Sequence, residues 1–568
     1  MTSITPSRPL NWLFDRDHGP ADRLISRWLF LRALGLIYFS AFFALVFQVK
    51  GLIGSQGILP AAQYFARLHQ LGPIRLWYAP SLLWLHPSDA MLTGLIWTGL
   101  IASLLVVANI LPRTALLVCW LCFLSFVTTA QDFSMYQSDG MLLEAGFLAL
   151  FVAPNGLFPG WARRSLASRA ALFLLLWEWF RIYFESGVVK LTSGDPTWRN
   201  LTAMYEYYQN GPLPTWIGWY LQHLPHWFQR GTAGVTLFME LILIWMAFIP
   251  RRGWRLACFL IVTAWQIGVI ATANYAFLNY LVLILAILLL DDATLLRFVP
   301  QRFRSGLNSP ASTPTVTILP AAEEAPAKDV SSRPEARSAA AERPAFAPAT
   351  EPESNGPSLG RHLSAIRLAI TTVLLTWIAY VTFAGLIATL WSASPLPQSP
   401  TAALEPFRIA NDYGLFATMT PHRYEIEFQG SNDGQTWTPY PFLYKPQDVH
   451  ACPRIYAPYQ PRFDWNLWFA SLQPWQQSPI VPLTELRLLD NDPTVLTLFA
   501  GNPFAGHPPR YIRAVLWQYW FSTPEQKRTQ HIWWTRQYLG TFAPTLTKNP
   551  TGGYISVADA NLDGPPQD

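Results

Sequence analysis

The sequence predicts a polytopic α-helical membrane bundle of eight or nine transmembrane helices, followed by an extracytoplasmic β-rich, sandwich-like domain. Three observations carry that reading. The 568 residues are 51% hydrophobic and 13% charged, with mean hydropathy +0.19, against about 25% charged for an ordinary soluble chain. Apolar runs near the ~20 residues that cross a bilayer recur through the first half and once more after residue 365. Beyond residue 400 the apolar period shortens to two. So few charges cannot cover a water-soluble protein of this length, and the same figures exclude a collagen, a coiled coil and a wholly disordered chain. A net charge of +5 is too small to suggest nucleic acid as a partner.

A cytoplasmic tail, residues 1–26, precedes the bundle, residues 27–299. No signal peptide is evident, because the first apolar run is long enough to be a span itself. The expected spans are Arg27–Val49, Ala90–Leu111, Thr114–Ala130, a short Met141–Ala153, Ser168–Val189, Gly231–Ile249, Arg255–Thr272, Tyr275–Leu290 and Ile366–Leu390. The charge-free stretch Leu256–Leu290 would be ~50 Å as one helix, too long for the hydrocarbon core, so it divides near Ala273-Asn274. Orientation follows from basic residues in the short loops. Arg8, Arg16, Arg23 and Arg27 begin the chain, and alternate loops carry Arg113, then Arg163, Arg164 and Arg169, then Arg251, Arg252 and Arg255, then Arg297, Arg302 and Arg304. The alternation holds only if Met141–Ala153 crosses. It puts the N-terminus in the cytoplasm and everything after Leu390 outside.

Residues 300–360 are rich in Ala, Pro, Ser and Glu and cannot bury enough apolar surface to offset chain entropy, which reads as a disordered cytoplasmic linker. A last span, 361–391, leads to the outer domain, 400–547, and a flexible tail, 548–568. In the outer domain Tyr424, Ile426 and Phe428 alternate with Arg423, Glu425 and Glu427, as in a strand with one buried face. Asp433-Gly434 supplies a hairpin turn. Leu483–Leu489, Tyr511–Tyr519 and Ile532–Tyr538 are further strand candidates. Trp437, Trp465, Trp468, Trp517, Trp533 and Trp534 read most simply as core; the sharper reading is an apolar surface for membrane or client.

Intramembrane charge costs about 2.5–3.5 kcal/mol per group at a helix centre, so Glu178, Arg181 and Glu185 within one span stand out. Their spacing of three and four puts them on one helical stripe, Arg181 between two carboxylates. A buried polar site and an ion-pair clamp both fit; Glu144 and Glu240 could complete the network. Next come Lys190, Asp195, Trp198, Arg199, Asn200 and Glu206 at an outward membrane face. Lys190 could serve as a general base if desolvated, although snorkelling is the simpler account. Cys119 and Cys122 form a CxxC inside an apolar run, the wrong setting for a reactive thiolate. His69, His86, His223 and His226 have no metal-ligand spacing, and nucleotide, zinc-protease and serine-hydrolase motifs do not occur. Neither a cofactor nor a metal is expected.

The strings "WLFLRALGLIYFSAFFALVFQVKGLIGSQGILPA", "QDFSMYQSDGMLLEAGFLAL", "SGVVKLTSGDPTWRNLTAMYEYYQNGPLPT", "EPFRIANDYGLFATMT" and "APYQPRFDWNLWFASL" resemble the lipase maturation factors, in order along nearly the whole chain outside the linker. That resemblance implies a multi-pass membrane protein that helps exported proteins, lipases in particular, to fold and assemble. Relatives in animals reside in the endoplasmic reticulum membrane. With no evident retention tail in "NLDGPPQD", a bacterial inner-membrane protein with a periplasmic outer domain is the expected setting. The family brings no catalytic residues. What the resemblance marks is regional: Asp195–Asn200, the segment holding Asp139 and Glu144, and Arg462, Asp464, Trp465 and Trp468. A remoter likeness of layout to vitamin K-dependent carboxylases keeps open an enzyme acting on a lipid or exported peptide through Lys190 and the Glu178, Arg181, Glu185 stripe. A transporter is a third alternative, weakened by the lack of inverted repeats.

Overall fold

In the computed structural model, which describes residues 8–162, 165–301, 304, 358–391 and 393–566, the first half is helical. Its principal helices are α1 (Leu24–Ile53), α2 (Asp89–Ala108), α3 (Pro112–Thr129), α4 (Gln137–Ala149), α5 (Arg169–Thr192), α6 (His226–Leu241), α7 (Arg252–Thr272), α8 (Leu278–Ala286) and α9 (Ser358–Leu390). Among the described residues six stretches are long and apolar enough to cross a membrane: α1, α2, α3, α6 with its continuation to Phe248, α7, and α9 from His362. The remaining expected spans, α4, α5 and α8, fall short in length or carry charge. They are buried along most of their residues. Protein rather than lipid surrounds them, so neither full length nor uniform apolarity is required. The stretch Leu256–Leu290 divides where expected, between Thr272 and Leu278. The expected 300–360 linker lies outside the described residues except for a few positions at its ends.

One end of the bundle is tied together by arginines. Arg16 donates to Leu150 O (2.8 Å) and Ala153 O (2.9 Å), and Arg23 to Leu288 O (2.6 Å) and Leu290 O (3.0 Å). Arg27 reaches Ser165 O at 2.6 Å. The carbonyls of Leu150, Ala153, Leu288 and Leu290 lie just past helix C-termini, where backbone acceptors lack helical partners and the dipole favours a cation. Asp292 completes the pattern by accepting from Leu24 N and Ile25 N at the start of α1 (2.9 and 2.8 Å).

The opposite end carries the C-terminal unit: β1 (Arg423–Ser431), β2 (Thr438–Pro439), α10 (Arg462–Ala470), α11 (Ile480–Leu489), β3 (Tyr511–Phe521), β4 (Trp534–Thr541), β5 (Thr545–Lys548) and β6 (Tyr554–Ala558). These strands form one antiparallel sheet in the order β2-β1-β3-β5-β6, with β4 also paired to β3. The expected sandwich is thus replaced by a single sheet packed on helices. Leu483–Leu489, expected as a strand, is the second half of α11. Its buried positions Val481, Thr484, Glu485 and Leu488 follow helical spacing, which a short apolar run does not distinguish from a buried strand. The tail expected to be flexible contributes β6, paired to β5.

β1 also departs from expectation: both of its faces are buried. Arg423, Glu425 and Glu427 face protein, not water. Arg423 pairs with Glu425 and donates to Gln209 O and Pro212 O (3.1 Å each), while Lys445 closes on Glu425 at 2.8 Å. One hydrophobic core runs from the bundle into the sheet. The seam is held by Arg462, whose two Nη atoms meet the two Oδ atoms of Asp139 at 2.7 and 2.8 Å with both side chains fully buried. Gln48 accepts from Arg462 N (2.7 Å), and Asn274 bridges Leu213 O, Arg454 O and Tyr456 N.

Two predictions follow from this seam. Arg462→Ala strands a buried carboxylate at Asp139 and should cost about 3–5 kcal/mol, read as thermal unfolding of the full chain in detergent; Asp139→Asn should restore part of it. An unchanged melting temperature would remove the seam from the account. Asp464 accepts from Tyr444 N and Lys445 N (3.2 and 3.1 Å), yet burial outweighs these bonds and pushes its carboxyl up to about 6. The folded chain retains a proton there that the unfolded chain has released, so this group makes stability fall as pH rises from about 4 through 6. Asp464→Asn should flatten that fall by about 3 kcal/mol; a slope equal to the parent's would refute it.

Candidate functional site

The expected stripe on α5 is present, and Glu144 of α4 joins it. Arg181 pairs with Glu144, donates to Asn411 O, and lies 3.8 Å from Glu185. All three side chains are buried. Glu144 Oε2 and Glu185 Oε2 are met by the segment that leads from α9 into the sheet, while Glu185 Oε1 makes no hydrogen bond among the described residues. Glu144 Oε2 accepts from Asn411 N (2.8 Å), Asn411 Nδ2 (3.0 Å) and Tyr413 Oη (2.9 Å), and Glu185 Oε2 accepts from Tyr413 N (2.8 Å). Leu415 N adds a bond to Ser186 Oγ at 3.2 Å, and Gly414 N one to Gln137 Oε1 at 3.1 Å. The arrangement is a clamp on residues 411–415. Glu178 is the exception: it lies beside Tyr413 and the backbone of Ala145, with neither oxygen in hydrogen-bonding geometry.

Glu240 does not join this network. It receives Lys190, whose Nζ lies 2.8 Å from both Glu240 oxygens and 3.0 Å from Leu415 O. The ammonium sits 5.1 Å from the Trp198 ring centre. This pair borders a cavity of about 270 Å³ enclosed by α5, α6, α7 and α8 and covered by Met204–Tyr208 and Phe416. Its walls are chiefly apolar, with Gln266 and Asn279 among the polar exceptions. Among the described residues no group of three or more His, Cys, Asp or Glu could hold a metal ion.

Residues 25–297 match the lipase maturation factor transmembrane domain, and residues 409–544 match the lipase maturation factor C-terminal domain. The chain is 33% identical to lipase maturation factor 2 of Gallus gallus over 95% of its own length and 82% of that protein. It is 30% identical to lipase maturation factor 1 of Bos taurus, covering 94% of this chain and 91% of the relative. The chain belongs to the lipase maturation factor family. No solved structure matches it.

The two family domains meet at the clamp: Glu144, Arg181 and Glu185 come from the transmembrane domain, Asn411 and Tyr413 from the C-terminal one. Other positions singled out in the sequence serve the same junction in this lipase maturation factor chain. Asp195 caps the turn Pro196–Arg199 through Thr197 N (2.8 Å) and accepts from Met419 N (2.6 Å). Trp198 is buried and donates to Phe416 O at 3.0 Å. Arg199 donates through Nε to Leu191 O at 3.0 Å, tying the loop to α5. Asn200 and Glu206 are exposed and take no part in the clamp. Asp464 binds the 444–445 backbone and not Asp139's partner Arg462. Trp465, Trp468 and Trp534 are buried, so they belong to the core and not to a client surface. Trp437, Trp517 and Trp533 are half-buried beneath Arg513, Arg536 and Lys527.

Sequence reasoning missed Asn411 and Tyr413 as individual partners. Their signal was present as the polar run "IANDYG" between the last span and the first strand, but which carboxylates it meets is a tertiary fact. Arg181→Ala leaves Glu144 and Glu185 buried beside an unanswered backbone, so folded protein in the membrane should fall severalfold, at a cost of about 3–5 kcal/mol. Glu178→Gln, which removes a carboxylate without hydrogen bonds, should leave the yield unchanged or raise it. Quantitative immunoblotting of detergent-extracted, monodisperse protein checks both. Normal yield of Arg181→Ala would contradict the clamp.

Proposed function

We propose that this chain is a membrane-embedded maturation factor that assists exported proteins, lipases among them, to fold and assemble beside the membrane. The observation that carries the proposal is the match to lipase maturation factors 1 and 2 through both domains and more than nine-tenths of the chain. The bundle and the sheet share one core and a buried seam, which supports a rigid platform held at the membrane face rather than a domain on a tether. The carboxylase-like alternative draws no support from these relatives. Glu144 and Glu185 are committed to the clamp and Glu240 to Lys190.

In the finer reading, nine segments cross the membrane, the N-terminus and the 300–360 linker lie in the cytoplasm, and the sheet lies in the periplasm of a bacterial inner membrane. The grouping of Arg16, Arg23, Arg27, Arg169 and Arg252 at the end of the bundle remote from the sheet supports that orientation. α4 supports a crossing by Met141–Ala153: Gln137 touches the clamp segment and Leu150 touches Arg16.

Deleting the gene should abolish the activity of at least one exported lipase while its transcript persists, read by assay of the exported fraction. An exported proteome unchanged in amount and activity would count against the role. A green fluorescent protein fused after Asp568 should stay dark, whereas alkaline phosphatase fused there should be active; the reverse pair would invert the orientation.

A further inference from the structure

The cavity between α6 and α7 has features that the clamp does not explain. Gln266 is 6% exposed and donates to Tyr183 Oη at 2.6 Å, but its Oε1 is buried without a hydrogen-bond partner among the described residues. Whichever way the amide is turned, one of its polar atoms is left over, because Tyr183 takes only one. A buried amide atom left unpaired costs about 1–3 kcal/mol. Asn279, 4% exposed, lines the same space.

The cavity also has a mouth. Gly268 is exposed and yet lines the cavity, and a Cβ built there would meet no described atom within 4 Å. Exposed side chains of α6 and α7 include Val235, Phe238, Leu260, Ile261 and, next to Gly268 in the chain, Ile267, an apolar surface suited to lipid. A solute from water would have to cross that surface; a lipid would already be in it.

Charge at the wall selects further. An ammonium has three donors. Those of Lys190 are directed to the two oxygens of Glu240 and to Leu415 O. None remains for a carboxylate or phosphate, and Glu240 would repel either.

We infer that this cavity is a binding site for a single-chain, uncharged, hydroxyl-bearing lipid that enters from the bilayer between α6 and α7 and hydrogen-bonds Gln266. Its volume of about 270 Å³, near the lower limit of ~300 Å³ for ligand pockets, suits one chain and excludes a two-chain phospholipid. A hydroxyl both donates and accepts, so it meets the leftover amide atom in either orientation. The inference rests on the cavity and the membrane setting and not on the identity of any client.

The test uses the full chain in phosphatidylcholine nanodiscs with a diazirine-bearing hexadecyl glycerol ether as photoprobe. Crosslinks should concentrate on 228–240 and 265–282, and unlabelled hexadecyl glycerol ether should suppress them while hexadecanoate at equal concentration does not. Gln266→Leu should weaken that competition about tenfold, the loss expected for one hydrogen bond at ~1.4 kcal/mol. Gly268→Phe should fill the mouth and lower labelling severalfold. Gly253→Phe, on the same helix with equally open space, should not. Labelling spread evenly over the lipid-facing helices, or equal competition by hexadecanoate, overturns the proposal. Should Gly268→Phe fail to fold, the competition on the parent chain and on Gln266→Leu still decides.

Discussion

Arg181 with its carboxylates is the constraint on which the rest of the architecture depends. Glu144, Arg181 and Glu185 are tolerable inside a helical bundle because they pair with one another and with nearby donors and acceptors, since the low-dielectric interior magnifies both pairing and its absence; Glu178 beside them makes no hydrogen bond. α4 and α5 supply the charges but not enough donors. Asn411 and Tyr413 supply the missing ones through two backbone amides, a side-chain amide and a phenol. The transmembrane part therefore completes its polar interior only when the chain beyond α9 returns to it.

That return has consequences in two directions. Leu415, at the end of the clamped segment, gives its carbonyl to Lys190, and Phe416 covers the cavity that Lys190 borders. In the other direction, the segment leads into β1, and Arg423 at the start of β1 meets backbone carbonyls of residues 209–212. The Arg462–Asp139 pair repeats the same logic at a second point of the seam, with a bidentate geometry that a lysine could not reproduce. Bundle, cavity and sheet are in this sense one cooperative structure, and the sheet is held at a set position on the bundle.

The sequence was legible where a local rule sufficed. Helix length, the break near Asn274 and the stripe of Glu178, Arg181 and Glu185 all depend on spacing along one segment. β1 was legible as a strand through its period of two, but not in its burial, since alternation says that the faces differ and not that one is wet. α11 misled because a short apolar run with few β-branched residues satisfies two periods at once. Glu240 misled for another reason: proximity of charges along the chain carries no information about which helix lies beside which.

Composition and hydropathy alone determined that this is a membrane protein, that several of its segments are apolar enough to cross, and where its polar exceptions lie, because bilayer insertion is decided residue by residue. Tertiary structure alone decided that those exceptions form separate sets, one closed on residues 411–415 and one on Lys190 and Glu240, and that Trp465, Trp468 and Trp534 of the C-terminal unit are core. The reason is physical: pairing of buried charge and exclusion of water depend on atoms from segments up to hundreds of residues apart meeting within about 3 Å, a quantity that no local pattern encodes.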